Sequence, residues 1–205
     1  MTKEENNMPD AKKVSAAKPK VTGAIHVAPV GTTLPTDAVS TLNSAFKAPG
    51  YASEEGLTNS NSMETDSVKA WGGDTVLTYQ TSKEDSFHFV LIEVLNTDVL
   101  KTVYGEENVS GTLENGITIK ANSREAEDMS WVFDMILNSG ALKRVVIPCA
   151  SITELGDIVY KDDEAIGYDT TITAVADEEG NTHYEYIVGA GSETNSGSEE
   201  EDENE

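Results

Sequence analysis

The chain has 205 residues, which is enough for one ordinary domain with or without flexible ends. Leu, Ile, Val and Phe make up about 21% of it, just above the ~20% below which chains usually stay disordered, so we expect a thin core. A net charge of −23, from 37 acidic and 14 basic residues, excludes a general nucleic-acid binder, because such binding depends on Lys and Arg neutralising phosphates. The same charge disfavours binding to anionic membranes.

Export is not expected either. Residues 1–7 are polar where a secretory signal needs an apolar stretch, and no apolar run approaches the ~18 residues of a membrane span. Cys149 is the single cysteine, so no intramolecular disulfide can form, which fits a reducing compartment. We expect a protein made in the cytoplasm and not secreted.

Charge divides the chain into three regions. Residues 1–20 carry a net charge of +2 and are expected to be a flexible N-terminal arm. The body, residues 21–188, is acidic in its own right, since residues 21–191 carry −18. Residues 189–205 are expected to be a disordered acidic tail, because residues 192–205 contain seven acidic side chains and no apolar one.

The first half of the body mixes strands with two helix signals. Strands are predicted at 24–28, 75–81 and 87–92, where apolar and polar residues alternate. Thr36-Asp37 could cap a short helix reaching Phe46, and Asn96 caps a predicted helix at 96–104 that Gly105 ends. Between them, residues 50–74 form a long polar stretch containing Met63 and Trp71, which we interpret as an ordered arm or extended hairpin.

The second half of the body is predicted to be strands throughout. Residues 126–137 fit a helix or a strand, but the Asn-Ser-Gly turn and the strand pattern after them favour a strand. Turn residues at 114–116, 138–140, 161–164 and 177–181 separate the segments into hairpins of antiparallel strands. The remaining predicted strands are 108–113, 117–121, 143–149, 152–160, 166–173 and 182–187.

No pattern of catalytic or metal-binding residues stands out. His26, His88 and His183 are isolated from one another and from Cys149, so a metal site and a cofactor are not expected. Cys149 lacks the context of a catalytic thiol, and phosphate-binding, hydrolase and dinucleotide motifs are missing from the sequence. An acidic β protein with an ordered polar arm and no active-site pattern suggests that assembly itself is its function.

Several segments are similar to one known family. They resemble, in the same order, the major tail tube proteins of long-tailed, siphovirus-type phages of Gram-positive bacteria. The similarity runs from about Lys18 to Val188, nearly the whole body. The segments that carry it are 23–37 (GAIHVAPVGTTLPTD), 56–61 (GLTNSN), 69–74 (KAWGGD), 80–87 (QTSKEDSF), 99–105 (VLKTVYG), 142–148 (LKRVVIP) and 180–186 (GNTHYEY).

The resemblance implies an antiparallel β-sandwich with a flanking helix, and a structural role in the virion tail. Such subunits form hexameric rings that stack into a hollow tube, in which their strands join a continuous barrel around the lumen. DNA passes through that lumen without specific binding. The implied partners are further copies of the chain and the tape-measure, tail-terminator and tail-tip proteins, with no membrane involved.

Two sets of residues become candidates under this interpretation. Met63, Trp71, Gly72 and Gly73, in the polar arm, are candidates for subunit contacts. Asp169, on the polar side of its strand, is a candidate for the lumen, where carboxylates would repel DNA. Two alternatives stay open: a β-sandwich module that binds cell-wall carbohydrate, and another tail component of the same fold, such as a tail terminator or the tube of a contractile tail.

Overall fold

The computed structural model describes residues 9–20 and 23–190 and has a mainly β fold, as the sequence predicted. One α-helix, α1, spans Thr97–Tyr104, and two short 3₁₀ turns span Ala11–Lys13 and Glu106–Asn108. The strands are β1 (Ala17–Pro19), β2 (Ile25–Pro29), β3 (Thr58–Lys69), β4 (Thr75–Leu91), β5 (Val109–Thr112), β6 (Gly116–Ile119), β7 (Met129–Leu137), β8 (Leu142–Leu155), β9 (Tyr168–Ala174) and β10 (Tyr184–Val188).

Eight strands form the main antiparallel sheet, and six of them follow the order β1-β7-β8-β9-β4-β3. β2 lies beside the first half of β7 and β10 beside the first half of β8, while β1 pairs with the last residues of β7. β5 and β6 form a separate hairpin.

The main sheet curls over itself. In the strand order β4 and β7 are three positions apart, which is about 14 Å in a flat sheet. Yet the Phe89 ring lies 5.6 Å from that of Trp131 and 5.5 Å from that of Phe133. The two ends of the sheet therefore face each other across a shared core, which is the sandwich-like arrangement that was expected. Val99 and Leu100 of α1 and Val109 of β5 join this core.

The helix at residues 96–104 is confirmed, and its ends form as predicted. The Asn96 side chain accepts a hydrogen bond of 3.0 Å from the Asp98 backbone N–H, which satisfies one of the free donors of the first turn. At the other end Gly105 adopts a φ of 91° and donates its N–H to the Lys101 carbonyl. Its backbone conformation favours glycine, which explains why the helix stops there.

The possible helix from Thr36 to Phe46 is absent, so that prediction was wrong. Asp37 does accept hydrogen bonds from the backbone N–H groups of Val39 and Ser40, at 2.7 and 2.5 Å, as a helix cap would. The carbonyls of Asp37 and Ser40, however, accept hydrogen bonds from the Arg144 guanidinium, at 3.1 and 2.9 Å. A tertiary partner thus binds the acceptors that a continuing helix would have used.

Several strand limits also differ from the prediction. The segments 75–81 and 87–92 are one continuous strand, because pairing with β3 extends through the polar residues 82–86. The strand predicted at 152–160 ends at Leu155, where the register with β9 stops at the pair Leu155–Thr170, although the Gly156 N–H still donates a hydrogen bond of 2.8 Å to the Asp169 carbonyl. The turn at 177–181 does not join paired strands, since β9 and β10 each pair with β8 instead.

The two ends of the chain lie partly outside the described residues. Of the predicted N-terminal arm, residues 9–20 are described, and Ala17–Pro19 pairs with Met135–Leu137 at the edge of the sheet. Residues 1–8, 21–22 and 191–205, the last of which hold most of the predicted acidic tail, lie outside the described part. The division into arm, body and tail stays a prediction.

Candidate functional site: the projecting hairpin and the outer sheet face

The hairpin of β3 and β4 extends well beyond the body of the protein. Asp85 is the last fully buried residue of β4 toward the turn, and every residue from 60 to 84 is exposed except the partly covered Ser67. At ~3.3 Å per residue, the eleven steps along the chain from Asp85 to Asp74 span about 36 Å. We call residues 60–84 the projecting hairpin. The ordered arm or extended hairpin predicted at residues 50–74 is thus found only in part, because these residues supply β3 and the turn, whereas the second strand of the hairpin, β4, begins at Thr75.

One face of the projecting hairpin carries an apolar patch near the tip. Side chains directly opposite each other in an antiparallel pair share a face, and Val68 pairs with Leu77 while Asp66 pairs with Tyr79. The Tyr79 hydroxyl lies 3.5 Å from the Asp66 carboxylate, which agrees with this arrangement. Val68, Leu77 and Tyr79 are all exposed, so the patch has no partner among the described residues.

The tip presents a tryptophan on a glycine turn. The turn is closed by hydrogen bonds from the Ala70 N–H to the Asp74 carbonyl and from the Gly73 N–H to the Ala70 carbonyl, at 2.8 and 2.9 Å. Gly72 and Gly73 have φ values of 144° and 98°, which side chains rarely permit. Trp71 is as exposed as in an extended peptide. The sequence therefore places a large apolar group at the far end of the hairpin.

A polar cluster holds the base of the hairpin. The buried Asp85 carboxylate accepts a hydrogen bond from the Thr182 hydroxyl and lies 3.4 Å from Lys83 Nζ and 3.6 Å from His183 Nδ1. Burial by itself would raise the pKa of Asp85, but the hydrogen bonds from Thr182 and Lys83 outweigh it and lower that pKa. This cluster connects the hairpin to the segment that leads into β10.

The outer face of the sheet is the side away from the buried Phe87, Phe89 and Leu91, and near the hairpin tip it carries the apolar patch described above. Between that patch and the body it is acidic and rich in hydroxyl groups. Over β3, β4, β9 and the end of β8, the described residues on this face include no Lys or Arg. Asp169 lies here, about half exposed, with one oxygen 2.5 Å from His88 Nε2. The carboxylates of this outer face belong to Glu64, Asp66, Glu84, Glu154 and Asp169.

The edge of the sheet beside β3 is open. Along its 12 residues β3 pairs with β4 on one side, and within the described ranges no strand pairs with the other side. Such an edge presents unpaired N–H and C=O groups, and monomeric proteins normally protect it with bulges, charges or a covering segment. The two register shifts between β3 and β4 place their extra residues, Thr81 and Val76, on β4 and not on the edge strand β3, so they do not interrupt this edge.

A buried ion pair lies on the opposite part of the sheet. Arg144 binds Asp134 through two hydrogen bonds of 2.6 and 2.9 Å, and both side chains are buried. His26 lies beside them, and burial, the largest effect, lowers its pKa. All donors of Arg144 that the structure describes are directed at Asp134 or at the 37–40 loop, so this cluster serves the packing of that loop.

Other kinds of site are not visible in the described part of the chain. Residues 9–20 and 23–190 contain no group of three or more His, Cys, Asp or Glu side chains arranged to hold a metal ion. None of the helices in these ranges has the length and apolar character needed to cross a membrane. Burial and the nearby Asp128 carboxylate raise the pKa of the Cys149 thiol.

Comparison with known families identifies this arrangement. A sequence model described as phage tail tube protein matches residues 12–196, nearly the whole chain. The chain belongs to the phage tail tube protein family. It is therefore a structural protein of the virion tail, and its family assembles into an oligomeric tube with other tail proteins. No curated protein matches the chain at a significant level.

Family membership bears on the interpretations that the sequence left open. It favours a tail tube protein over a carbohydrate-binding module and over a tail terminator. Membership of a family of structural proteins also agrees with the expectation that the chain is not an enzyme.

The residues singled out from the sequence fall into two places. Met63, in the middle of β3, and Trp71, Gly72 and Gly73, in the turn, all lie on the projecting hairpin, whereas Asp169 lies on the outer sheet face beside His88. Met63 is exposed on the face opposite the apolar patch, across from Lys83. Sequence reasoning missed Val68, Leu77 and Tyr79, although the strand pattern at 75–81 could have indicated them once the pairing partner was known.

Proposed function

We propose that the chain forms rings of six subunits that stack into the phage tail tube, an acidic conduit for DNA during ejection. The observation that carries the proposal is the projecting hairpin, which leaves the body with its apolar side chains uncovered. An isolated two-stranded hairpin is at best marginally stable in water. A hairpin of this length therefore makes physical sense as a part of the molecule that neighbouring subunits cover.

The subunit contacts are assigned to this hairpin. Met63 and Trp71 supply the apolar groups, and Gly72 and Gly73 allow the turn that presents Trp71. Exposed apolar surface of this extent, set among polar residues, is typical of protein–protein contacts. Tryptophan is also among the residues that contribute most to binding when neighbours enclose it.

The open edge of β3 provides a second way to join subunits. Pairing with an edge strand of a neighbour would satisfy its free backbone groups and continue the sheet from one body, residues 21–188, into the next. Repetition around a closed ring removes the exposed edges altogether. This explains why a long edge strand is tolerated in a protein that must remain soluble before assembly.

The acidic part of the outer sheet face, between the apolar patch and the body, is assigned to the lumen, with Asp169 as one of its residues. Carboxylates and hydroxyls offer no cation to bind phosphates, and the negative potential repels the DNA backbone. Glu64, Glu84 and Glu154 lie on the same face and would act in the same way. DNA would thus slide past the wall without being held.

The partners of the assembled tube are assigned by the same reasoning. The tape-measure protein would occupy the lumen before DNA does, and the tail-terminator and tail-tip proteins would cover the two ends of the tube. Each end presents a different surface, because the hairpin projects from only one end of the body. Two different capping proteins are then required.

Negative-stain electron microscopy of the concentrated protein at low and high salt tests the proposal. Subunits with a net charge of −23 repel one another, and salt screens exposed charges beyond ~10 Å at 0.1 M. We expect monomers at low salt. Rings or hollow tubes should form when the salt concentration is raised or a tail-tip initiator is added. Assembly that weakens with salt would contradict the electrostatic argument, and monomers under all conditions, initiator included, would contradict the tube itself.

A further inference from the structure

We propose that the acidic residues 191–205 bind the lysines of residues 9–20 in the same copy of the chain. The contact belongs to the single copy before assembly, so it does not rest on the proposed function. Three observations support it: both segments leave the sheet at the same end, the lysines lack partners, and the two segments have opposite charges.

Both segments leave the main sheet beside one turn. β1 and β10 flank the hairpin of β7 and β8, with β1 paired to the last residues of β7 and β10 paired to the first residues of β8. The two flanking strands are three strand positions apart, which is about 14 Å in a flat sheet. Each runs antiparallel to its partner, so the chain before β1 and the chain after β10 both lie next to the turn between β7 and β8.

The turn itself contacts both segments. The Asn138 N–H donates hydrogen bonds of 2.8 and 3.1 Å to the Ser15 hydroxyl and to the Ala16 carbonyl. Two residues further on, a Cβ atom on Gly140 would lie 3.3 Å from the Cβ atom of Ala190, the last described residue. At ~3.3 Å per residue, the residues that follow Ala190 can extend over about 50 Å, which is several times the distance to the N-terminal segment.

The lysines of the N-terminal segment have no ionic partners that satisfy them. Lys12, Lys13 and Lys18 are exposed, and among the described residues no carboxylate lies within ion-pair distance of their ammonium groups. Residues 9–20 contain four lysines and one aspartate, a net charge of +3 in a chain whose total is −23. This segment is therefore the part of the surface best suited to bind carboxylates.

Residues 191–205 supply the opposite charge. They contain seven carboxylate side chains and no basic residue, and six of the seven lie at 199–205. Because β10 holds the start of this segment near the lysines, its effective concentration there is on the order of millimolar. The tail of a second copy is disfavoured in comparison, since two copies of charge −23 repel each other. The lysines are thus occupied by the tail of their own copy, through exposed ion pairs that salt weakens.

Carbodiimide crosslinking of the full chain at low salt, followed by mass spectrometry, tests the contact. The reagent joins a carboxylate to an amine only where the two touch. We expect links from residues 199–205 to Lys12, Lys13 and Lys18 to be roughly tenfold more frequent than links to Lys120. Lys120 is the matched control, because it is also exposed and has no described carboxylate within ion-pair distance. Equally frequent links to Lys120 would overturn the proposal.

An isotope mixture identifies the copy that supplies the tail. The crosslinking is repeated on equal amounts of ¹⁵N-labelled and unlabelled chain. Links within one copy join peptides of the same isotope, which is the expected result. If half of the links join a labelled peptide to an unlabelled one, the tail comes from another copy and the assignment to the same copy is wrong.

Trypsin digestion gives a second test that does not depend on crosslinking. Trypsin cleaves after lysine, so a bound tail should slow cleavage after Lys12 and Lys13. The triple variant Glu199→Gln, Glu200→Gln and Glu201→Gln should be cleaved there roughly fivefold faster than the wild-type chain at low salt. At 1 M salt, where charges are screened beyond ~3 Å, the two should be cleaved at the same rate. A wild-type rate for the variant at low salt would contradict the contact.

The matched control for this digestion removes the same number of charges from an exposed turn of the body. It carries Asp162→Asn, Asp163→Asn and Glu164→Gln, and leaves the tail intact. Cleavage after Lys12 and Lys13 should stay as slow as in the wild-type chain. If the control is cleaved as fast as the tail variant, only the total charge matters and the proposed contact is wrong.

Discussion

The two halves of β4 belong to one strand but have opposite surroundings. From Phe87 to Leu91 every second side chain is buried in the core, next to Trp131 and Phe133 of β7. From Thr75 to Glu84 every side chain is exposed, including Leu77 and Tyr79. Both halves hold apolar residues in a paired strand, and only one half has a second layer to cover them.

This difference separates two uses of the same local structure. Residues 87–91 stabilise the fold of a single copy, because their apolar surface is removed from water on folding. Residues 75–84 contribute little to that fold, and their apolar surface is removed from water only by another molecule. The variants below test this division, from the largest expected effect on folding to the smallest.

Leu91→Ala and Leu77→Ala make the same change at the two ends of the strand. Leu91 is fully buried, so its truncation should lower the free energy of unfolding by about 4 kcal/mol. Leu77 is 56% exposed, so its truncation should change that free energy by no more than about 0.5 kcal/mol. Urea denaturation measures both, and equal losses would show that the hairpin is part of the folded core.

Arg144→Ala should lower the free energy of unfolding by about 3 kcal/mol, because the buried Asp134 loses two hydrogen bonds and the 37–40 loop loses its donor. Arg124→Ala is the matched control. Its bond of 2.7 Å to Glu107 lies in solvent, where such pairs contribute about 0–1 kcal/mol. Chemical denaturation of the two variants should differ clearly; similar losses would contradict a structural role for the buried pair.

The pH dependence of stability should show the effect of His26. Burial lowers the pKa of His26 in the folded protein, so the unfolded chain binds its proton first as the pH falls. Stability is therefore complete above the unfolded pKa of about 6.5 and decreases as the pH falls from there toward the folded value. Thermal unfolding between pH 7.5 and 5 should show a weaker dependence in His26→Gln, and an unchanged dependence would exclude His26 as its source.

Trp71→Ala should have the smallest effect on folding and a large effect on assembly. Because Trp71 is fully exposed, the free energy of unfolding should change by less than about 0.5 kcal/mol. Under conditions where the wild-type protein forms tubes, the variant should remain a folded monomer or a ring. Leu113→Ala, exposed to 63% in the turn between β5 and β6 and outside the hairpin, is the control that should still assemble. If Trp71→Ala forms normal tubes, the hairpin tip is not part of the subunit contact.

Most of the fold could be predicted because its signals are local. The alternation of Phe87, Phe89 and Leu91 defines a strand face, and Asn96 and Gly105 define the ends of α1. The predictions failed where a distant group decided the outcome. Arg144, more than 100 residues away in the sequence, binds the carbonyls that a helix at Asp37 would have used. Pairing with β3 likewise makes a strand of residues 82–86, whose composition is that of a loop.

The sequence by itself determined that the chain is acidic and mainly β, with one capped helix and a polar arm that carries Trp71, since composition, alternation and caps act over a few residues. Only the tertiary structure decided which apolar residues lack a cover, because burial depends on what packs from elsewhere in the chain. Leu77 and Leu91 look alike in the sequence. The curl of the sheet covers Leu91, whereas the hairpin carries Leu77 about 26 Å beyond the buried Asp85 and into solvent.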